Sequence, residues 1–191
     1  TGALDDVGTP IRTNSGDSYR LGLEVDAAIQ LSNKLAVQPN VTISSNKNKN
    51  TFSQIDGNLV SLGKTNISFS PELVAANALI FQPSSRFQVS FLSKYVGKQY
   101  MGNNDSEVSK LKSYFVNDFN ISYEIETISV FKSIILSGLI NNIFGEKYVS
   151  NGYYYTYDDI WSNPGVTTTI EGAGYYPQAT TNFLIGVTLK F

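Results

Sequence analysis

The 191 residues contain no cysteine and no histidine. That removes disulfides, thiol nucleophiles, imidazole bases and the usual zinc ligands. It also leaves a protease or lipase barrel, which usually needs a His or Ser-His site, the least favoured of the functional readings. No apolar run approaches the roughly 20 residues that a transmembrane helix needs. If the chain spans a membrane, it must do so with strands. Net charge is only −2, so no basic surface points to nucleic acid. Residues 1–18 are polar and glycine-rich, without the pattern of a signal peptide, and the chain begins with Thr1. Its natural start is therefore expected upstream.

Aromatic residues, by contrast, are abundant, with 12 tyrosines and 11 phenylalanines. The dominant pattern is alternation with period two, which puts alternate residues on opposite faces of a strand. In residues 182–191, Phe183, Ile185, Val187, Leu189 and Phe191 alternate with Asn182, Leu184, Gly186, Thr188 and Lys190. Residues 19–31 place Tyr19, Leu21, Leu23, Val25, Ala27, Ile29 and Leu31 against Arg20, Glu24, Asp26 and Gln30. Residues 35–46, 86–101 and 115–125 repeat the pattern, with apolar residues at odd numbers and Lys94, Lys98, Asp118 and Glu124 at even ones. Less regular strands are expected over 69–81 and 130–141. With the terminal strand the total is about seven, and helical periodicity is almost absent.

Short and long links alternate along the chain. Residues 32–34, 83–85 and 126–129 read as turns, whereas 47–68, 102–113 and 142–181 read as long loops. In an up-and-down antiparallel meander this gathers the turns at one end and the loops at the other. Transmembrane barrels have that asymmetry. A strand of about ten residues tilted by about 45° rises roughly 24 Å, close to the apolar band of such a barrel. Aromatics near strand ends (Tyr19, Tyr100, Tyr114, Tyr123 and Tyr148) suit interfacial girdles. Periodicity alone does not say which face points inward. A soluble β-sandwich or lipocalin-like barrel alternates in the same way with its apolar face inside.

Several short motifs carry less. Gly172-Ala173-Gly174 lacks the following helix of a phosphate cradle and reads as a flexible loop. Asp158-Asp159 and Glu171 read as solvated loop charge. Asn103-Asn104-Asp105 lacks the glycine and glutamate spacing of a calcium loop. Tyr153, Tyr154, Tyr155, Tyr157 and Trp161 differ, because exposed aromatics offer an apolar body and a hydrogen-bonding tip, which suits ligand capture. Packing against neighbouring loops is the competing reading.

Four segments then become specific. Residues 93–103 (S-K-Y-V-G-K-Q-Y-M-G-N), 114–118 (Y-F-V-N-D), 141–148 (N-N-I-F-G-E-K-Y) and 174–179 (G-Y-Y-P-Q-A) before the terminal strand occur in this order. Together they resemble the C-terminal barrel of TonB-dependent outer-membrane receptors. The resemblance covers residues 86–191, and the earlier strands are compatible with it. It implies that residues 1–191 are an open seven-stranded part of a 22-stranded barrel. The plug domain and the first strands would lie outside the chain. It further implies a location in the outer membrane of a Gram-negative bacterium and TonB-energised uptake of a scarce nutrient such as an iron chelate, cobalamin or a glycan. Implied partners are outer-membrane lipid, the receptor's own plug and TonB, and the barrel assembly machinery, which recognises a terminal strand like that of Phe183, Val187, Leu189 and Phe191. Arg20, Glu24, Asp26, Lys94, Lys98, Asp118 and Glu124 would face the lumen, and the odd-numbered residues of the clear strands would face lipid. No cofactor, resident metal or catalytic residue is implied. A porin-like barrel without a plug and a soluble binding barrel are the alternatives.

Overall fold

The computed structural model describes residues 16–126 and 130–191. Thirteen strands are formed: β1 (Ser18–Asp26), β2 (Ile29–Ser32), β3 (Leu35–Ile55), β4 (Asn58–Asn66), β5 (Leu73–Ser84), β6 (Phe87–Val96), β7 (Gln99–Tyr100), β8 (Lys110–Leu111), β9 (Tyr114–Glu126), β10 (Ser133–Asn141), β11 (Val149–Asp159), β12 (Thr168–Pro177) and β13 (Asn182–Lys190). One short 3₁₀ turn, Glu107–Ser109, precedes β8. The main sheet runs β1-β3-β5-β6-β9-β10-β13 and every pairing along it is antiparallel. It is a seven-stranded up-and-down meander. Strands β1 and β13 are its two edges and do not pair with each other.

Register fixes the two faces, because residues directly opposite in neighbouring strands point the same way. One row reads Val37, Leu79, Phe91, Phe119, Ile140 and Phe183. The next reads Leu35, Phe81, Val89, Ile121, Gly138 and Ile185. Outside β10 these are the odd-numbered residues of five strands. In β10 the parity is reversed, and Ile134, Leu136 and Ile140 complete the apolar rows. The opposite face is polar, with rows such as Gln88, Ser122, Ser137 and Gly186. On that face Glu124 accepts hydrogen bonds from Ser133 Oγ at 2.5 Å and from Lys190 Nζ at 3.0 Å, tying β9 to the edge strand across β10.

The apolar face is not covered. Leu23 is 66% exposed, Val187 62% and Ile185 81%. Among the described residues only Val96, Met101 and Leu111 are buried apolar side chains, and all three lie at the long-loop end. A sheet that leaves its apolar rows open has no soluble core of its own; that face must be covered by something else. The sandwich or lipocalin reading, in which Leu23, Val41, Phe119 and Val187 close over a core, does not describe this sheet.

Three expectations need correction. The strand expected over 19–31 is split into β1 and β2 at Ala27-Ala28. Ala27 N donates to Pro39 O at 3.0 Å, but Pro39 has no N–H to return the bond. The strands expected over 69–81 and 130–141 instead cover β5 and β10, and the turn expected over 83–85 lies at Ser85-Arg86. The turn expected over 126–129 falls mostly outside the described residues. Finally, the segments 47–68 and 142–181 are not loops throughout. Strand β3 continues for 21 residues and folds back as β4 through Asp56-Gly57, whose φ angles of 50° and 74° are those of a two-residue hairpin turn. Strands β11 and β12 form a second, separate hairpin.

Candidate functional site

Three pieces build a crown at the long-loop end: the β3–β4 hairpin, the segment 97–113, and the β11–β12 hairpin. Short polar side chains join them. Asp105, at φ 55°, accepts from Asn66 N at 2.9 Å and Asn66 Nδ2 at 3.0 Å, and Asn103 Oδ1 accepts from Ser68 N at 2.8 Å. Asp105 of the triplet 103–105 is thus spent on β4 and Asn103 on the residues just after it, while Asn104 turns to β11. Asp56 at that hairpin's tip exchanges two bonds with Thr169 of β12, 2.8 Å through its N–H and 2.9 Å through its carboxylate. Gln54 Nε2 donates to Asp158 Oδ2 at 3.0 Å.

Tyr154 is the hub of the crown. Asn104 Nδ2 donates to its hydroxyl at 2.7 Å, and the hydroxyl donates to Glu171 Oε1 at 2.6 Å. Ser106 Oγ donates to the other oxygen of Glu171 at 2.7 Å. Burial, and then the hydrogen bond to Glu171, push the Tyr154 phenol up to about 12. Asp158 and Glu171 are therefore hydrogen-bonded joints on strands and not free loop charge, although Glu171 stays exposed to solvent. Asp159 turns the tip of the hairpin. Hydrogen bonds from Ser162 and the N–H of Trp161 hold its carboxyl below the usual range.

The five aromatics expected to act together are divided by the pleat of β11. Tyr154 faces inward to segment 97–113, whereas Tyr153, Tyr155 and Tyr157 stand on the other face. Ring centroids are 6.3 Å apart for Tyr153 and Tyr155, and 6.4 Å for Tyr155 and Tyr157, with interplanar angles of 20° and 14°. Opposite them, Gly174 pairs with Tyr153 and Gly172 with Tyr155. The motif Gly172-Ala173-Gly174 is strand and not flexible loop; its glycines leave room for the two rings. Trp161 sits in the connection between β11 and β12 and is 84% exposed.

A cavity of about 600 Å³ opens below this hairpin, between segments 110–113, 146–149 and 175–180. Lys112, Lys147, Tyr148 and Tyr175 rim it, over Leu111 and Pro177. Tyr148 packs on Tyr114 with centroids 4.3 Å apart. Burial and then the charge of Asp118 push the Tyr148 phenol upward. The cavity has the size and mixed lining of a small-molecule site. None of its lysines was expected as a site residue: they come from separate segments, and Lys147 was quoted only as part of the motif 141–148. Asn142 was quoted only as part of the motif 141–148, and its role is structural. At φ 48° its N–H donates to Asp118 at 2.7 Å, while its amide bonds Glu146 O at 2.8 Å and Ala179 O at 3.2 Å.

Register places Arg20, Glu24, Asp26, Lys94, Asp118 and Glu124 on the polar face, opposite Asn46, Thr42, Asn40, Val116, Leu92 and Ile135 respectively. Arg20 donates to Ser70 Oγ at 2.8 Å. Lys98 lies beyond the end of β6, outside this register. Phe183, Val187 and Leu189 face the apolar side opposite Ile140, Leu136 and Ile134, and the Phe191 ring lies 5.0 Å from that of Phe131.

No protein-family model and no curated protein matches the sequence. Solved structures do. The siderophore receptor PiuA of Acinetobacter baumannii superposes with a TM-score of 0.60 at 17% identity, over 91% of this chain and 22% of that receptor. The closed form of the ferric-catecholate import receptor Fiu of E. coli K12 gives 0.61 at 18% identity, over 98% of this chain and 23% of that one. The open form gives 0.54 at 16% identity, over 88% and 20%. The chain thus spans about a fifth of the length of the receptors it matches. Its fold is that of a stretch of receptor barrel wall, as the resemblance to TonB-dependent receptors implies.

Proposed function

We propose that this chain is the C-terminal part of the barrel wall of an outer-membrane receptor that imports a scarce nutrient, an iron chelate above all, and that it is not an enzyme. The observation that carries this reading is the uncovered apolar face of a meander whose opposite face is polar and whose long-loop end is an ordered crown. Lipid would cover the apolar rows, while a plug and water would meet the polar ones. The crown, with its cavity and aromatic hairpin, would stand outside the cell and meet the ligand first. The plug, contributed by sequence outside these 191 residues, would then be displaced with energy relayed by TonB. An iron chelate is preferred over cobalamin or a glycan because two of the proteins sharing the fold, PiuA and Fiu, are described as a siderophore receptor and a ferric-catecholate import receptor.

The test is growth on a ferric chelate as the only iron source, in cells whose sole candidate importer is the full-length receptor. Growth is expected in the presence of TonB and not without it. Uptake that persists without TonB would favour the porin-like barrel. No uptake of any chelate would remove the iron reading.

A further inference from the structure

The apolar face of β1, β3 and β4 changes character within two rows. Leu23 faces Ile43, Leu21 then faces Ser45, and Tyr19 then faces Lys47. On the other side of β3, Lys47 pairs with Asn66 and Asn48 with Thr65, after which the register shifts. Lys49 and Lys64 lie at this shift, between the pairs Asn48–Thr65 and Thr51–Gly63. Lys64 Nζ lies 5.8 Å from the centroid of the Tyr19 ring, which fixes it on the same face as Tyr19. Lys49, two residues beyond Lys47 on the same strand, shares that face. Both lysines are exposed. Lys47 is already spent on Glu72, at 2.6 Å, but none of the ion pairs among the described residues uses Lys49 or Lys64. Asp17 lies just before β1, and its main-chain carbonyl accepts from Lys49 N at 2.8 Å.

Like charges gathered on one face of a sheet repel. An anion between them turns that repulsion into two attractions. Position says which anion. The lysines stand just beyond the exposed Leu21, Leu23 and Ile43, where a wall passes from hydrocarbon to headgroup. Tyr19 marks the same level, as interfacial tyrosines do. We propose that Lys49 and Lys64, over the ring of Tyr19, bind the phosphate of a lipid headgroup in the outer leaflet, whose acyl chains lie along Leu21, Leu23 and Ile43. The inference rests on the reading of the chain as a lipid-embedded wall. It adds a specific phosphate site to it.

The experiment uses the full-length receptor in detergent micelles, titrated with bisphosphorylated lipid A or with the same lipid stripped of phosphate, and followed by native mass spectrometry. Lys49→Gln with Lys64→Gln should weaken retention of the phosphorylated lipid roughly tenfold or more, since each basic residue near a lipid surface counts separately. Retention of the stripped lipid should not change. The Lys→Arg pair should restore binding, Asp17→Asn should strengthen it, and Lys34→Gln at the short-turn end should leave it alone. Equal retention of the phosphorylated lipid by wild type and the double Gln variant would overturn the site. So would equal retention of both lipids by wild type. Inorganic phosphate competing as well as the lipid would remove lipid as the occupant. Retention of neither lipid by wild type would overturn the site too, whereas a full-length receptor that stays soluble and monomeric without detergent would instead sink the membrane reading itself.

Discussion

The ring of Tyr155 occupies the space that a side chain on Gly172 would need: a Cβ built there would lie 2.3 Å from the ring's Cζ. Gly174 stands in the same relation to Tyr153, also at 2.3 Å. A tyrosine laid over a cross-strand glycine covers backbone that would otherwise be open and fixes the register of the pair. Gly172→Ala should therefore push the Tyr155 ring off the strand and destabilise the β11–β12 hairpin by roughly 1–2 kcal/mol. In a Tyr155→Ala background the same substitution should cost much less, because the obstacle is gone. Hydrogen exchange of the hairpin amides in all four combinations measures this coupling. Additive effects would show that the ring and the glycine do not interact.

A second prediction follows from the parity change in β10. Leu136 shares a row with Tyr123 and Val187, although its number is even. Leu23→Arg, Leu136→Arg and Val187→Arg in the full-length receptor should each impair membrane insertion, since a charge on the lipid face near the midplane costs about 2–4 kcal/mol. Glu24→Arg, Ser137→Arg and Thr188→Arg should insert nearly normally. Protease protection of the folded barrel separates the two sets; equal insertion of all six would contradict the assigned faces.

Much of the sheet could be read in the sequence, because period two is a local signal. Residues 115–125 and 182–191 announce their strands and faces through their own side chains. Strand β10 was harder, because Ile134, Ile135 and Leu136 are apolar in succession and only cross-strand partners decide which of them share a face. The hairpins of the crown were missed for a different reason. Their strands carry Asn, Ser, Thr and Gly where an apolar residue would mark a buried face, and they are held by hydrogen bonds between segments far apart in sequence, such as Asp56 with Thr169. A single chain read in order does not show such pairs. The Asp56-Gly57 dipeptide was the one local sign of the first hairpin.

The Tyr154 hub should be sensitive to alkali. Its phenol is raised from 10.0 to about 12, so the folded hairpin keeps a proton that the unfolded chain would release above pH 10. Below pH 10 the stabilisation is fully present; it declines as pH rises from 10 through about 12. Protection of the β11–β12 amides should fall across that window in the wild type. Tyr154→Phe should show lower protection at neutral pH and a smaller further loss in alkali. An identical alkaline loss in both proteins would assign it to other tyrosines.

The last prediction concerns the two edges of the sheet. Strand β3 covers one side of β1 and strand β10 covers one side of β13, so each edge leaves a row of backbone donors and acceptors unpaired within the sheet. In hydrocarbon each unpaired group costs several kcal/mol, and in water such an edge invites association. An antiparallel meander of seven strands has its first and last strands running the same way, so they cannot join with the antiparallel pairing used throughout this sheet. We therefore expect the isolated 191 residues to aggregate in water and to fail to form a heat-resistant band in detergent. Co-expression with the upstream barrel sequence of the same receptor should restore that band, through pairing of β13 with the barrel's first strand. Cysteines placed on β13 and on that strand should then cross-link. A stable, detergent-free monomer of the isolated chain would contradict both the open edges and the exposed apolar face.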